Sequence, residues 1–399
     1  MDSLKRINME LNAILSKVEK FKNIDLLVGI SARNEETTII HVLNQVGQGL
    51  KQFFPAMNSL VVVADGHSND RTVELAQIFP MPDDIKKIVV PEVEPLGKGS
   101  AVKTIFSIAE KVNADATVLI DGDLLSLSPE WIQSLGKEPL FGRNDLVVPY
   151  YIRHKYDGVI TNVLAYPFTA ALYNTKIRQP IGGEYGLSRD LVRELNRHEK
   201  FPYHFGIDIF ITSVSIAMGF DIGEAVLGLK LHDSTTKYVD PKKHLNPMFN
   251  QVVGTMFDVA HHYENIWRNL KREPIKIERL KLHGYSPIPV NISPEKVLDA
   301  YMESCKEHRY VVKEIIKDRN LTRSVLCNPK GIKEKEWAKT VMTFYEHYKT
   351  NKKEEVLSAL RSLWYGRFYD YMIQVKDLST EEAEIYVREQ AKAFQEAIS

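Results

Sequence analysis

In the run Val-Leu-Ile-Asp121-Gly-Asp123-Leu-Leu-Ser, two carboxylates flank one small residue where an apolar segment ends. Carboxylates so placed can hold Mg²⁺ or Mn²⁺, and such an ion grips both phosphates of a nucleoside diphosphate. When a group departs from that diphosphate, negative charge develops and a cation stabilises it. Paired aspartates also occur in ordinary turns, so the place of this pair after a buried strand is what gives it weight. A second candidate is Asp65 in VVVADGHSNDRT, a strand-end carboxylate able to accept from a nucleobase. The following Ser68, Asn69 and Asp70 read as turn and helix-capping residues. A third is Gly97-Lys98-Gly99, where glycines allow close backbone approach to a ligand and Lys98 supplies positive charge at a helix start. Its spacing does not make a Walker A loop, which disfavours ATP hydrolysis.

These residues need a scaffold that delivers strand ends to one edge. Apolar runs at Leu26–Ser31, Leu60–Ala64, Lys87–Val90 and Thr117–Ile120 alternate with helical patterns at 37–50, 70–78 and 99–112. That alternation predicts an α/β unit with a mostly parallel sheet, whose ligand sits at the carboxyl ends of the strands. A further strand in DLVVPYY, a helical stretch over 158–174, the loop IRQPIGGEYGLS, a helix over 206–218 and closing strand structure in DIGEAVLGLKLH follow. Beyond residue 240 the periodicity is helical, at 246–271, 294–318, 333–349, 354–375 and 380–397. Three parts are expected: an amphipathic helix within 1–25, a catalytic domain over 26–272, and a mainly helical region over 273–399, joined by a proline-bearing segment after Glu273-Pro274.

The 399 residues are 44% apolar, enough to bury a core without metals or disulfides. Lys plus Arg number 52 and Asp plus Glu 52, so there is no broad basic field for nucleic acid. Cys305 and Cys327 have no spacing that suggests a zinc site or disulfide framework, which fits a reducing, cytoplasmic setting. No run reaches the roughly 20 apolar residues of a membrane span. Leu4, Ile7, Leu11, Ile14, Leu15, Val18 and Phe21 form a helical stripe that packs on the domain or on a second subunit, so a homo-oligomer stays open.

Taken in order, SARNEE, ADGHSNDRT, PLGKGSAV, LIDGDL, QPIGGE and HFGID resemble the retaining glycosyltransferases of the GT-A fold that make mannosylglycerate, glucosylglycerate and glucosyl-3-phosphoglycerate. The likeness to the mannosylglycerate and glucosylglycerate synthases extends into the tail, through EWAKTVMTFYEHY and SLWYGRFYDYMI. It implies a GT-A fold, a mostly parallel sheet flanked by helices, with a helical C-terminal extension. It also implies Arg33, Glu35, Asp65, Lys98, Asp121 and Gly183 at the donor, and Asp121, Asp123 and His232 around Mg²⁺ or Mn²⁺. Glu184 and Asp208 fall at the sugar, although a turn carboxylate and a first-turn complement to the helix dipole are their plain structural readings.

The acceptor stretch departs from the family. Pro149 stands where mannosylglycerate synthase has an arginine, leaving Arg153 and Lys155 as the expected acceptor ligands. The implied reaction moves a hexose from ADP-glucose or GDP-mannose to the 2-hydroxyl of D-glycerate, as in compatible-solute synthesis, with HDSTTKYVDPKKH as a lid. Alternatives are transfer to 3-phosphoglycerate, an inverting polysaccharide or glycolipid transferase, and a non-catalytic nucleotide-sugar sensor. A sugar-1-phosphate nucleotidyltransferase is disfavoured because SARNEET lacks the glycine-rich loop.

Overall fold

The computed structural model describes residues 3–82, 84–232, 241–275, 286–349 and 352–398. Most of the expected lid, residues 233–240, lies outside them. The chain divides into two compact units, residues 1–151 with 181–239, and residues 152–180 with 240–399.

In the first unit the seven strands are β1 (Leu26–Ala32), β2 (Ser59–Asp65), β3 (Lys86–Pro91), β4 (Ala116–Asp121), β5 (Leu146–Ile152), β6 (Tyr185–Ser188) and β7 (Ile222–Leu229). They form one sheet in the order β3-β2-β1-β4-β6-β5-β7. The β3-β2-β1-β4 part is parallel, and β6 runs antiparallel to both neighbours. Apolar runs buried on both faces are what a parallel sheet requires. Leu26, Val28, Ile30, Val118 and Ile120 pack beneath Val42, Leu43, Val46 and Leu50 of helix Ile39–Phe53, and Trp131, Ile132 and Leu135 of helix Pro129–Leu140 complete the layer.

Two elements of this unit escape the periodicity. β6 has four residues, and one is Gly186, where an added Cβ would lie 1.8 Å from the Leu135 carbonyl oxygen. A strand so short, with a glycine pressed against a neighbouring helix, offers no alternation to detect. Helix Pro129–Leu140 carries Gly136 and Pro139 in its second half, although Ser128 followed by Pro129 is a legible helix start.

The second unit is helical. Segments 152–180 and 240–272, read from the sequence as part of the catalytic domain, belong here because their apolar faces are buried against the tail. Phe249 packs tilted against Trp364 with ring centroids 5.4 Å apart, and Phe257 meets Tyr345 edge-on at 5.5 Å. Trp337 donates its indole N–H to the Val163 carbonyl at 2.7 Å. The stretch predicted as one helix over 158–174 is a π-helical turn, Thr161–Ala165, continuing into the α-helix Tyr166–Tyr173. Among the described residues no helix is long and apolar enough to cross a membrane.

Candidate active site

The β4 end is held by its neighbours before any ligand is considered. The Gly122 N–H donates to the Ser31 carbonyl at 2.8 Å, and Thr38 Oγ1 donates to the Gly122 carbonyl at 2.8 Å. Asp121 and Asp123 thus project from a fixed turn, and they take different partners.

Asp121 turns into a cluster of charges. Lys98 Nζ lies 2.9 Å from Asp121 Oδ1 and 3.2 Å from Asp208 Oδ2. Ser31 Oγ donates to Asp121 Oδ1 at 3.2 Å. Across the cluster, Lys230 Nζ donates to the two Glu184 oxygens at 2.7 and 2.9 Å and to the Gly182 carbonyl at 3.2 Å. Tyr151 donates its hydroxyl to Glu184, and Tyr185 Oη accepts from the Gly182 N–H while donating to the Asp208 carbonyl. Lys98 opens helix Lys98–Val112 and Asp208 sits in the first turn of helix Ile207–Met218, so both positions follow from helix starts aimed at the strand ends.

Three carboxylates and two ammonium groups share this space, all mostly buried. Burial would pull Lys98 down, but Asp121, then Asp208 and Glu184, outweigh it and hold the ammonium well above its ordinary value. Burial pushes the Glu184 carboxyl up against the opposing pull of Lys230. The Asp208 carboxyl is raised by burial too, with Lys98 opposing and Asp121 adding to the rise. Gly183 closes the arrangement at φ +96°, in the left-handed region, and an added Cβ would lie 2.8 Å from both Asp121 Oδ2 and Lys230 Nζ. A side chain there would collide with the charges.

Asp123 takes the other direction. Its Oδ2 lies 3.6 Å from His232 Nδ1, and His232 is paired to Leu124 in an antiparallel bridge that brings it beside the turn. Of the three expected metal ligands, Asp123 and His232 thus stand side by side, and Asp121 is paired with Lys98. Among the described residues no three His, Cys, Asp or Glu side chains converge as a metal cage.

The β1 and β2 ends interlock. Asn34 N–H donates to Ser68 Oγ at 2.9 Å and Asn69 N–H to Asn34 Oδ1 at 2.8 Å, while Glu35 N–H donates to Thr72 Oγ1 at 2.7 Å. Glu36 N–H reaches Asp70 Oδ2 and Arg71 N–H returns to Glu36 Oε2, each at 3.1 Å. Asp65 accepts from the Ser68 hydroxyl at 2.6 Å and its backbone N–H at 3.0 Å. The Arg33 side chain lies over Gly66, and the Glu35 carboxylate accepts from Thr38 at 3.4 Å. Arg33, Glu35 and Asp65 thus occupy one edge of the site, with Lys98, Asp121, Gly183, Glu184 and Asp208 gathered at the other.

Arg153 and Lys155 belong to the second unit. Arg153 pairs with Asp157 at 3.7 Å. Lys155 is a correction: its ammonium donates to the carbonyls of Val375, Lys376 and Leu378 at 2.8, 2.6 and 2.7 Å, the C-terminal end of helix Lys353–Val375. Three donors on three carbonyls leave none for an acceptor, and a cation at a helix C-terminus stabilises by up to about 2 kcal/mol. Lys155→Met is expected to lower the melting temperature by about 5 °C while the acceptor KM stays unchanged, checked by calorimetry and steady-state kinetics.

Lys230 and Tyr151 were not singled out from the residues. The signal for Lys230 is faint but present: Lys230 and His232 are two apart in extended chain, so both fall on one face. For Tyr151, in a strand buried at every position, there is no comparable signal.

Residues 86–244 match the family model described as mannosylglycerate synthase, GT domain. Over that stretch the chain is similar to a glycosyltransferase domain of that type. Solved structures similar to the chain include glucosyl-3-phosphoglycerate synthase from Mycobacterium tuberculosis in complex with Mn²⁺, uridine diphosphate and glucosyl-3-phosphoglycerate, at 24% identity, 63% of this chain, 84% of that one and a TM-score of 0.48. The same enzyme with Mn²⁺, UDP-glucose and phosphoglyceric acid matches at 24% identity, 63% of this chain, 83% of that one and a TM-score of 0.48. A mycobacterial protein matches at 26% identity, 62% of this chain, 78% of that one and a TM-score of 0.49. No curated protein sequence matches.

Proposed function

We propose that this chain, with its mannosylglycerate synthase-type glycosyltransferase domain, moves a hexose with retention from a nucleoside diphosphate sugar to the 2-hydroxyl of D-glycerate. The observation that carries the reading is the pairing of a buried, lysine-balanced carboxylate cluster with a separate Asp123–His232 pair on the same β4 turn. The cluster suits a polyhydroxylated ring, since Asp121, Glu184 and Asp208 accept from hydroxyls while Lys98 and Lys230 donate. Arg33, Glu35 and Asp65 line the edge for the nucleoside.

Asp123 and His232 fit a divalent ion, because a carboxylate and an imidazole are both ligands such ions take and here they stand 3.6 Å apart. Mg²⁺ or Mn²⁺ held by this pair would supply neutralising charge to the diphosphate. Asp208 and Glu184 are tied to lysines, which blunts either as a nucleophile. That favours a front-face course in which the departing phosphate oxygen takes the acceptor proton while Asp208 and Glu184 hold the ring.

Arg153 is the proposed handle for the glycerate carboxylate. With Asp157 beside it and Lys155 at a helix end, the stretch offers little surplus cation for an added phosphate, which supports glycerate over 3-phosphoglycerate. Arg153→Ala is expected to raise the glycerate KM about 10- to 150-fold, the equivalent of roughly 1.5–3 kcal/mol, with donor KM little changed. Donor and acceptor KM rising together would instead assign Arg153 to the diphosphate or to holding its own loop. The reaction itself is tested by incubating the protein with ADP-, GDP- and UDP-linked glucose and mannose plus D-glycerate or 3-phosphoglycerate. Product and anomeric configuration are read by NMR, and an inverted product or none with either acceptor rejects the proposal.

A further inference from the structure

The two cysteines of the chain stand 22 positions apart, yet the helical unit brings them into contact. Cys305 lies buried on helix Pro294–Glu307, and Cys327 follows helix Arg319–Val325, half-buried and in the left-handed region at φ +53°. The Cys327 N–H donates to Cys305 Sγ at 2.9 Å. That sulfur is then no more than about 4.4 Å from the Cys327 Cα, since N–Cα is about 1.46 Å.

The surroundings hold this pair in place. Tyr301, one turn before Cys305 on the same helix face, donates its hydroxyl to the Val325 carbonyl and accepts from the Asn328 N–H at 3.1 Å. The backbone on both sides of Cys327 is thus tied to the helix that carries Cys305. Bridged cysteines need Cα atoms about 4.4–6.8 Å apart, and the 2.9 Å contact from the Cys327 N–H to Cys305 Sγ sets the two residues side by side.

We propose that Cys305 and Cys327 form a built dithiol site that a peroxide closes to an intrachain disulfide. Burial pushes the Cys305 thiol far up, so the more accessible Cys327 is the sulfur that meets the oxidant. Its thiolate attacks the peroxide O–O bond, giving a sulfenic acid and one water. The Cys305 sulfur then attacks the sulfenic sulfur; the S–O bond breaks, the S–S bond forms, and the Cys305 proton leaves with the hydroxide as a second water. Two thiols lose two electrons and one peroxide gains them. The bridge fastens helix Pro294–Glu307 to the segment after helix Arg319–Val325 and closes a loop containing helix Arg309–Ile315.

Reduced full-length protein is treated with hydrogen peroxide, capped with iodoacetamide, and mapped by tryptic mass spectrometry without reductant. The expected result is one cross-linked peptide pair lighter by two hydrogens, with a melting temperature about 5 °C higher that dithiothreitol reverses. Cys327→Ser removes both the cross-link and the shift. Cys305→Ser leaves Cys327 as a sulfenic acid that dimedone traps. Both cysteines still open to iodoacetamide after peroxide, a disulfide between two chains, or oxidation of Cys327 to the sulfinic acid in the unsubstituted protein would overturn the proposal.

Discussion

Asp123→Ala is expected to lower kcat by at least about 100-fold at saturating donor and acceptor, and EDTA is expected to do the same to the unsubstituted protein. A cation at a diphosphate leaving group contributes several kcal/mol, and about 2.7 kcal/mol is already a factor of 100. Asp123 and His232 face each other at 3.6 Å, whereas Asp121 is committed to Lys98, so the loss should fall on the Asp123 side of the turn. His232→Ala is expected to weaken Mn²⁺ activation and recover in part at high Mn²⁺, since Asp123 would remain as the other proposed ligand. Titration of Mn²⁺ against rate for the three proteins, with circular dichroism to check folding, decides the matter. Full activity in chelator rules out the role given to this pair.

Lys98→Met is expected to destabilise the protein by about 3–5 kcal/mol, because it leaves Asp121 and Asp208 with an uncompensated buried charge. The melting temperature should fall on the order of 10 °C, and donor binding should be lost with it. The pH dependence has a definite sign. Lys98 is raised in the fold, so the stability it contributes is complete below its ordinary value of 10.5 and disappears as pH rises through the higher folded value. Glu184 and Asp208 are also raised, so their ionisation opposes the folded state, more so without the lysine, and protonating them relieves the strain. The gap between Lys98→Met and the unsubstituted protein should therefore be widest near neutral pH and narrow on acidification. Scanning calorimetry from pH 8 to pH 5 measures it, and a constant gap would show that Lys98 is not balancing these carboxyls.

The strands were legible because a parallel sheet buries both faces, so β1, β2 and β4 are nearly unbroken apolar runs that end where the polar residues begin. The meeting of Lys98, Asp121, Glu184 and Asp208 was not legible from spacing, since they come from separate elements with up to 110 positions between them. Only the ordered motifs shared with a known family pointed to it. Asp121 illustrates the limit: an Asp-x-Asp triplet shows where two carboxylates stand but not that a lysine 23 positions earlier neutralises one of them. Lys155 shows the same limit, because a basic residue in an acceptor stretch reads identically whether it meets a ligand or the end of a helix 220 positions later. The unit boundary was misplaced for a related reason, as helix Pro241–His262 has the same period whichever partner buries Phe249 and Phe257.

The crossed bonds between Asn34 and Ser68–Asn69, and between Glu36 and Asp70–Arg71, brace the edge proposed for the nucleoside before any nucleotide arrives. Ordering a flexible side chain on binding costs about 0.5–1.5 kcal/mol, and most of that cost is absent where the loops already brace each other. Donor affinity is then set by contacts made at this edge rather than by how well the edge assembles, so nucleotides differing in one hydrogen-bonding group of the base should be separated in dissociation rate more than in association rate.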